Sequence, residues 1–224
     1  MRRMPIARSL GTVLAMNLSA IALTACGGGG ASTSAPLPAG CQPAAKPKPK
    51  RVNLDPPTST VARSAKLDAV VSTSCGSFTI ALDAAAWPKT VSSFVHLARK
   101  GVYDGTGFQR IVPGFVIQGG DPSETGTGGP GYTVTERPPP STQYRRGTVA
   151  MVRAAVAPPG QSGSQFFVVV APDAGLPPNY AVLGRVSAGQ DVVNRIASLG
   201  DPASGDAGTP TATVAIRSVA VRPR

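Results

Sequence analysis

In the run Tyr103-Asp104-Gly105-Thr106-Gly107-Phe108-Gln109-Arg110-Ile111-Val112-Pro113-Gly114-Phe115-Val116-Ile117-Gln118-Gly119-Gly120-Asp121, two short apolar stretches at 107–112 and 115–119 flank the turn pair Pro113-Gly114. Each stretch reads as a β-strand. The same punctuation continues outward. Upstream, residues 68–73 and 77–82 read as a hairpin around Cys75-Gly76. Between that hairpin and the opening run, Pro88 stands where the first turn of a helix tolerates it. Val91, Phe94, Val95 and Ala98 then recur at i, i+3, i+4, i+7 until Gly101 ends the pattern, which marks an amphipathic helix. Downstream, strands are expected at 147–152, 165–170, 182–186 and 213–221, and a second short helix at 190–199. No internal repeat is present. Eight or so short strands with two helices define a mainly β fold, expected as a closed barrel whose ends the helices cover, an arrangement that also removes sheet edges.

Composition sets the limits around this reading. A chain of 224 residues and 22.6 kDa suits one core plus extras. The 42% of hydrophobic residues can fill that core, while Gly 26 and Pro 23 exclude a fold dominated by long helices. The net charge of +11 would suit a polyanionic partner, yet it divides as +3 in residues 1–25, +5 in 26–66 and +3 in the remainder. The body is nearly balanced, so no nucleic acid is expected as a partner.

The N-terminal residues have the order of an export signal: basic Met1 to Arg8, a largely apolar run of about 15 residues from Ser9 to Leu23, then small residues before a cysteine. The run is short of the roughly 20 residues that span a bilayer. Leu23-Thr24-Ala25-Cys26 resembles a bacterial lipobox. That resemblance implies that 1–25 is a lipoprotein signal, that Cys26 is diacylated, and that the protein is exported and held on the cell membrane facing away from the cytoplasm. Residues 26–65 are rich in Gly, Ser, Pro and Lys and have little to bury, so they are expected to form a flexible tether, with the folded body at 66–224. The alternating Lys46, Lys48 and Lys50 either keep the tether solvated or attract it to anionic lipid or wall polymers. Cys41 and Cys75 either pair in an oxidising compartment or remain a linker thiol and a buried strand residue; both readings stay open. A single histidine offers no metal set, and neither metal nor cofactor is expected.

The opening run resembles the signature of the cyclophilins, peptidyl-prolyl cis/trans isomerases, which reads closely as F-x-R-I-x-P-G-F-x-x-Q-G-G-D. It is followed in family order by Gly126-Thr127-Gly128-Gly129, by Gly147-Thr148-Val149-Ala150-Met151, by Gly163-Ser164-Gln165-Phe166-Phe167, and by Leu176 and Tyr180 ahead of Leu183-Gly184-Arg185-Val186. The resemblance covers about residues 66–222, and overall it is nearest to membrane-anchored, exported actinobacterial cyclophilins. It implies a closed eight-stranded antiparallel barrel capped by two helices and an isomerase of Xaa-Pro bonds that assists the folding of exported proteins, with unfolded or flexible proline-containing chains as partners, and a monomer is expected.

The chemistry explains why such residues are needed. The Xaa-Pro barrier of about 18–20 kcal/mol comes from amide resonance, so a catalyst needs only to favour the twisted state. In that state the prolyl nitrogen regains a lone pair, and a fixed donor beside it stabilises the transition state preferentially. Arg110, permanently charged and with a planar fork of donors, suits this role, as the resemblance implies. By the same match Phe115, Phe167 and Leu176 form the ring pocket, Tyr180 covers the ring, Gln118 and Gln165 hold the substrate backbone, and Val112, Val116 and Val152 extend the wall. Four positions depart from the family pattern. Gln109 and Tyr180 stand at frequent histidines, Gly175 at a frequent tryptophan, and Arg153 at a usual asparagine whose backbone contacts substrate; a cation there would favour acidic residues beside the proline. The alternative function is a surface module that captures proline-containing segments with little catalysis.

Other signals carry less. Gly126-Thr127-Gly128-Gly129-Pro130-Gly131 satisfies G-x-G-x-x-G, but it contains Pro130 and lacks a strand before and a helix after, so it reads as a loop. His96 is a packed or solvated helix residue and Trp87 a packing residue. No nucleophile elbow supports hydrolase chemistry.

Overall fold

Alternate burial shows how the first strands form. In β1 (Leu67–Thr73), Ala69, Val71 and Thr73 point inward, and in β2 (Gly76–Leu82), Phe78, Ile80 and Leu82 do the same. They pair antiparallel from Leu67↔Leu82 to Thr73↔Gly76, which is the expected hairpin. The computed structural model describes residues 36–224; the expected signal segment and Cys26 lie outside the described residues.

Helix α1 (Pro88–Arg99) starts with its proline in the first turn and buries Val91, Phe94, Val95 and Ala98 as their spacing requires. Its N-terminus has no cap from its own flank. Glu136 supplies one from afar, its carboxylate accepting from the backbone N–H groups of Lys89 (3.3 Å) and Thr90 (2.8 Å). The chain then forms β3 (Thr106–Gly107), β4 (Arg110–Val112), β5 (Val116–Gly119), β6 (Val134–Thr135), β7 (Thr148–Met151), β8 (Gln161–Ser162), β9 (Phe166–Val169), β10 (Val182–Ala188), α2 (Gln190–Ala197), a 3-10 segment at Pro202–Ala207, and β11 (Ala215–Pro223).

The sheet corrects the expected closed eight-stranded barrel. Nine antiparallel strands run in the order β3-β11-β1-β2-β10-β7-β9-β5-β4, and β6 pairs with β8 separately. The sheet curls without closing into a hydrogen-bonded ring, because the single strand expected at 107–112 is broken into β3 and β4, its two ends. At the break, the Phe108 N–H donates to Val214 O (2.9 Å) and the Ile111 N–H to Gly208 O (2.7 Å). The two edges still come close: a Cβ on Gly119 would lie 2.8 Å from the Gly107 carbonyl oxygen.

Both faces of the strands near that seam are buried, and this positions the site. Phe166, Val168, Ile117, Val149 and Met151 enter the main core with Phe78, Phe94, Tyr103 and Phe108. Their alternating neighbours Phe167, Val169, Val116 and Ala150 face the other way, where Tyr144, Phe115, Leu176 and Tyr180 cover them in a second apolar cluster.

The stretch expected as a free tether differs too. Residues 36–65 are extended and follow the body, and Pro36–Arg224 forms one compact unit. Cys41 and Cys75 are joined in a disulfide. The Gln42 N–H donates to Ser74 O (2.8 Å), the Lys50 N–H to Pro122 O (2.7 Å) and the Leu54 N–H to Pro130 O (2.8 Å), and the Val61 N–H donates to Ser92 Oγ (2.7 Å). Backbone pairing therefore compensates for the scarcity of apolar side chains in this strap.

Candidate active site

The register of β4, β5 and β9 sets the site. Arg110 lies opposite Gln118, Gln118 opposite Phe167, and Val112 opposite Val116, so these side chains share the outer face of the sheet. Phe115 follows Gly114, which takes φ 72° in the β4–β5 turn. This brings the ring under Arg110, whose Cζ lies 5.9 Å from the ring centroid. Arg110 Nε donates to Asp206 O at 2.9 Å, and Nη1 and Nη2 take no partner among the described residues.

Phe115, Val116, Val152, Phe167, Leu176 and Tyr180 meet in the second apolar cluster. Phe167 and Tyr180 stand edge to face with centroids 5.4 Å apart. Tyr144 holds the segment that carries Tyr180, donating from its hydroxyl to Tyr180 O (2.7 Å) and accepting from the Tyr180 N–H (3.0 Å). Burial raises the Tyr144 pKa, so the phenol keeps the proton that this donation requires. Val112 shares the face but sits outside the cluster, against Gly208: a Cβ on that glycine would be 2.7 Å from Val112 Cγ2. Gly175 takes φ 61°, and a Cβ there would meet none of the described residues within 4 Å.

Gln165 organises the polar side. Its Oε1 accepts from Nε2 of both Gln118 and Gln109, each at 3.0 Å, and its Nε2 donates to the carbonyls of Gly126 (3.1 Å) and Gly128 (2.9 Å). Those carbonyls are aimed by Asp121, whose fully buried carboxylate accepts from the N–H groups of Ser123, Thr125, Gly126 and Gly128. The glycine-rich loop thus spends on Asp121 the donors that a phosphate would need. Beyond Gln165 lies a groove of about 810 Å³ whose lining includes Val52, Tyr132, Val152, Arg153 and Ser164. Arg153 reaches back to its own turn, donating from Nη1 to Ala155 O (3.0 Å) and to Ala157 O.

Sequence reasoning missed Asp121 as an organiser, Tyr144 as the clamp on Tyr180, and the Asp206 carbonyl on Arg110. Asp121 was visible only as the last letter of the motif. Tyr144 and Asp206 carry no local signal, since each acts through a contact distant along the chain. The rings of His96 and Tyr132 have centroids 6.4 Å apart.

Comparison with known proteins agrees with this arrangement. Residues 69–221 match the family described as cyclophilin type peptidyl-prolyl cis-trans isomerase/CLD. Peptidyl-prolyl cis-trans isomerase B of Streptomyces anulatus is 39% identical over 176 residues, covering 71% of this chain and 98% of the relative. Peptidyl-prolyl cis-trans isomerase CYP18-2 of Arabidopsis thaliana is 35% identical over 133 residues, 59% of this chain and 81% of the relative. A crystal structure of a Cryptosporidium parvum cyclophilin type isomerase in the presence of the dipeptide Ala-Pro superposes with a TM-score of 0.63 at 28% identity, covering 70% of this chain and 99% of that one. The chain belongs to the cyclophilin-type peptidyl-prolyl cis-trans isomerases. Its activity is accordingly the cis/trans isomerisation of Xaa-Pro peptide bonds.

Proposed function

We propose that this isomerase acts on exported polypeptides outside the cytoplasmic membrane, as a monomer held there by a lipid on Cys26, and that Arg110 is its catalytic residue. The observation that carries the site assignment is the placement of Arg110: its Nε is fixed by Asp206 O, its Nη1 and Nη2 take no partner among the described residues, and it lies over the Phe115 ring, which shares one apolar cluster with Phe167 and Tyr180. A proline ring seated on Phe115, Phe167 and Leu176 under Tyr180, with Val116 and Val152 as walls and Val112 at the margin, would bring its nitrogen to that fork. Gln118 and Gln165 would hold the preceding backbone, so the acyl side turns while the ring stays put. The guanidinium then donates to the emerging nitrogen lone pair, a bond stronger in the twisted state than in either planar isomer. Arg153, committed to the Ala155 and Ala157 carbonyls, acts by shaping the groove wall more than by offering a free cation. The lipobox likeness and the oxidised Cys41–Cys75 pair support export.

The test is two-dimensional exchange NMR of an Ala-Pro peptide with residues 36–224 as catalyst. The parent accelerates exchange, and Arg110→Ala loses about 10²–10³-fold while still shifting the peptide signals on binding. Binding shifts without faster exchange in the parent would instead indicate a capture module.

A further inference from the structure

Gln165 is held by two carbonyls of the 121–131 loop, and that loop is in turn held by the strap. The Lys50 N–H donates to Pro122 O (2.7 Å) at the start of the loop and the Leu54 N–H to Pro130 O (2.8 Å) at its end. Asn53 lies so close to Gly131 that a Cβ there would meet Asn53 Cα at 2.9 Å. Lys50 also fastens the strap to the body: its Nζ donates to the carbonyls of Gly101 (3.4 Å), Val102 (3.1 Å) and Asp104 (2.6 Å). Val52, between the two backbone bonds, lines the groove beside Gln165. The Lys50–Pro122 and Leu54–Pro130 bonds are backbone to backbone at the two ends of one loop, a geometry that fixes the loop's place and leaves its interior bonds to Asp121.

We propose that strap residues Lys50 and Leu54, which lie before the family-matched part of the chain, are positioning residues for isomerisation: through the 121–131 loop they set where Gln165 presents its amide to the substrate. This rests on the isomerase reading of the same site. Gln165 contacts the substrate in both the planar and the twisted state, so its misplacement weakens binding equally in the two, which raises KM and leaves kcat. A merely structural strap would do otherwise, lowering the folded fraction and hence apparent kcat while leaving KM alone.

The experiment compares four forms of residues 36–224 with an Ala-Ala-Pro-Phe peptide: the parent, Leu54→Pro, which deletes the N–H donated to Pro130 and keeps an extended backbone, Lys50→Met, which deletes the Nζ bonds and keeps the aliphatic stem, and Arg63→Ala. Arg63 ties the far end of the strap to Ala85 O (2.5 Å) and touches neither loop nor groove. Leu54→Pro raises KM by about five- to tenfold with kcat within about twofold, and Lys50→Met by about two- to threefold. In both, the Gln165 side-chain amide resonances move, and Arg63→Ala matches the parent. Unchanged KM and unmoved Gln165 resonances in the two strap variants overturn the inference. So does a fall in kcat alone that tracks a lower unfolding midpoint. If Leu54→Pro does not fold, Lys50→Met decides between these outcomes. A parent that binds the peptide without accelerating exchange overturns the isomerase reading instead, and the Gln165 resonances still report the strap's effect on the loop.

Discussion

Arg110 and Glu124 are both charged groups in partly buried surroundings, and they are handled in opposite ways. Among the described residues Arg110 donates only from Nε, and it costs little to hold because guanidinium is weakly hydrated and lies over the Phe115 ring. Glu124 adopts a left-handed backbone (φ 58°), and its Oε1 accepts from the Gly107 N–H at 2.8 Å. Burial pushes its pKa up from the ordinary 4.5 and the Asp121 charge adds to that, while the Gly107 N–H and the strap lysines Lys50 and Lys46 pull it down. A carboxyl with a raised folded pKa binds its proton more tightly in the native state, so stability is greatest below the unfolded value. It falls as pH rises from about 4.5 to the folded value and is flat above. Glu124→Gln keeps an acceptor for Gly107 and removes the titration, so its unfolding midpoint shows a smaller decline over that window than the parent's. Chemical denaturation measured from pH 4 to 8 checks this, and parallel curves would contradict it.

The strands and the loop between β5 and β6 were legible to different degrees. Short apolar runs bounded by turn residues marked β1, β2, β5, β7, β9, β10 and β11 within a residue or two; burial on one face adds a period of two in β1 and β2, whereas β5, β7 and β9 are buried on both faces and show none. The two-residue strands β6 and β8 and the segment Pro202–Ala207 are too short to show any period, and β3 and β4 read as one strand until the contacts to Val214 and Gly208 divide them. The 121–131 loop looked like glycine-rich punctuation, yet it is built as tightly as the core. A Cβ on Gly128 would sit 2.0 Å from Asp121 Oδ1 and 2.2 Å from Ser123 Oγ. Gly128→Ala therefore displaces the Asp121 network and with it a carbonyl that Gln165 needs. A stability loss of about 2–4 kcal/mol is expected by denaturation. A catalytic loss is expected in exchange NMR at temperatures where the variant remains folded. Gly126→Ala, at φ 84° but with open space, strains the backbone without that collision and loses less.

Across the molecule, the strap changes what counts as the functional unit. The Cys41–Cys75 bond closes a sequence separation of 34 residues, for which chain-entropy reasoning gives about 3–4 kcal/mol. Reduction with a dithiol, or Cys41→Ser with Cys75→Ser, therefore lowers the unfolding midpoint. The double variant is then insensitive to the dithiol, which separates loss of the bond from any other effect of the reductant. The proposed lipid anchor is tested on the full chain: Cys26→Ser is expected to lose palmitate labelling and to move from the membrane to the soluble fraction. Unchanged membrane attachment would mean that something other than Cys26 holds the protein there.

The motif from Phe108 to Asp121, the antiparallel strands and the two helices follow from local rules, since alternation, helical spacing and turn residues act over a few positions of chain. The apolar residues assigned to a proline pocket were named as members of an ordered signature, and Phe115, Val116, Val152, Phe167, Leu176 and Tyr180 do meet in one cluster. What holds those residues in place was not legible, because it acts across long separations: Arg110 to Asp206 spans 96 residues, Gln165 to Gly126 spans 39, and Tyr144 to Tyr180 spans 36. Composition likewise made residues 36–65 look unable to order, because it counts apolar side chains and not the backbone N–H groups that Pro122, Pro130 and Ser74 receive. Whether one sheet face is covered twice, whether the sheet closes, and which loop aims which glutamine depend on where distant segments meet, and that is decided only when the chain packs.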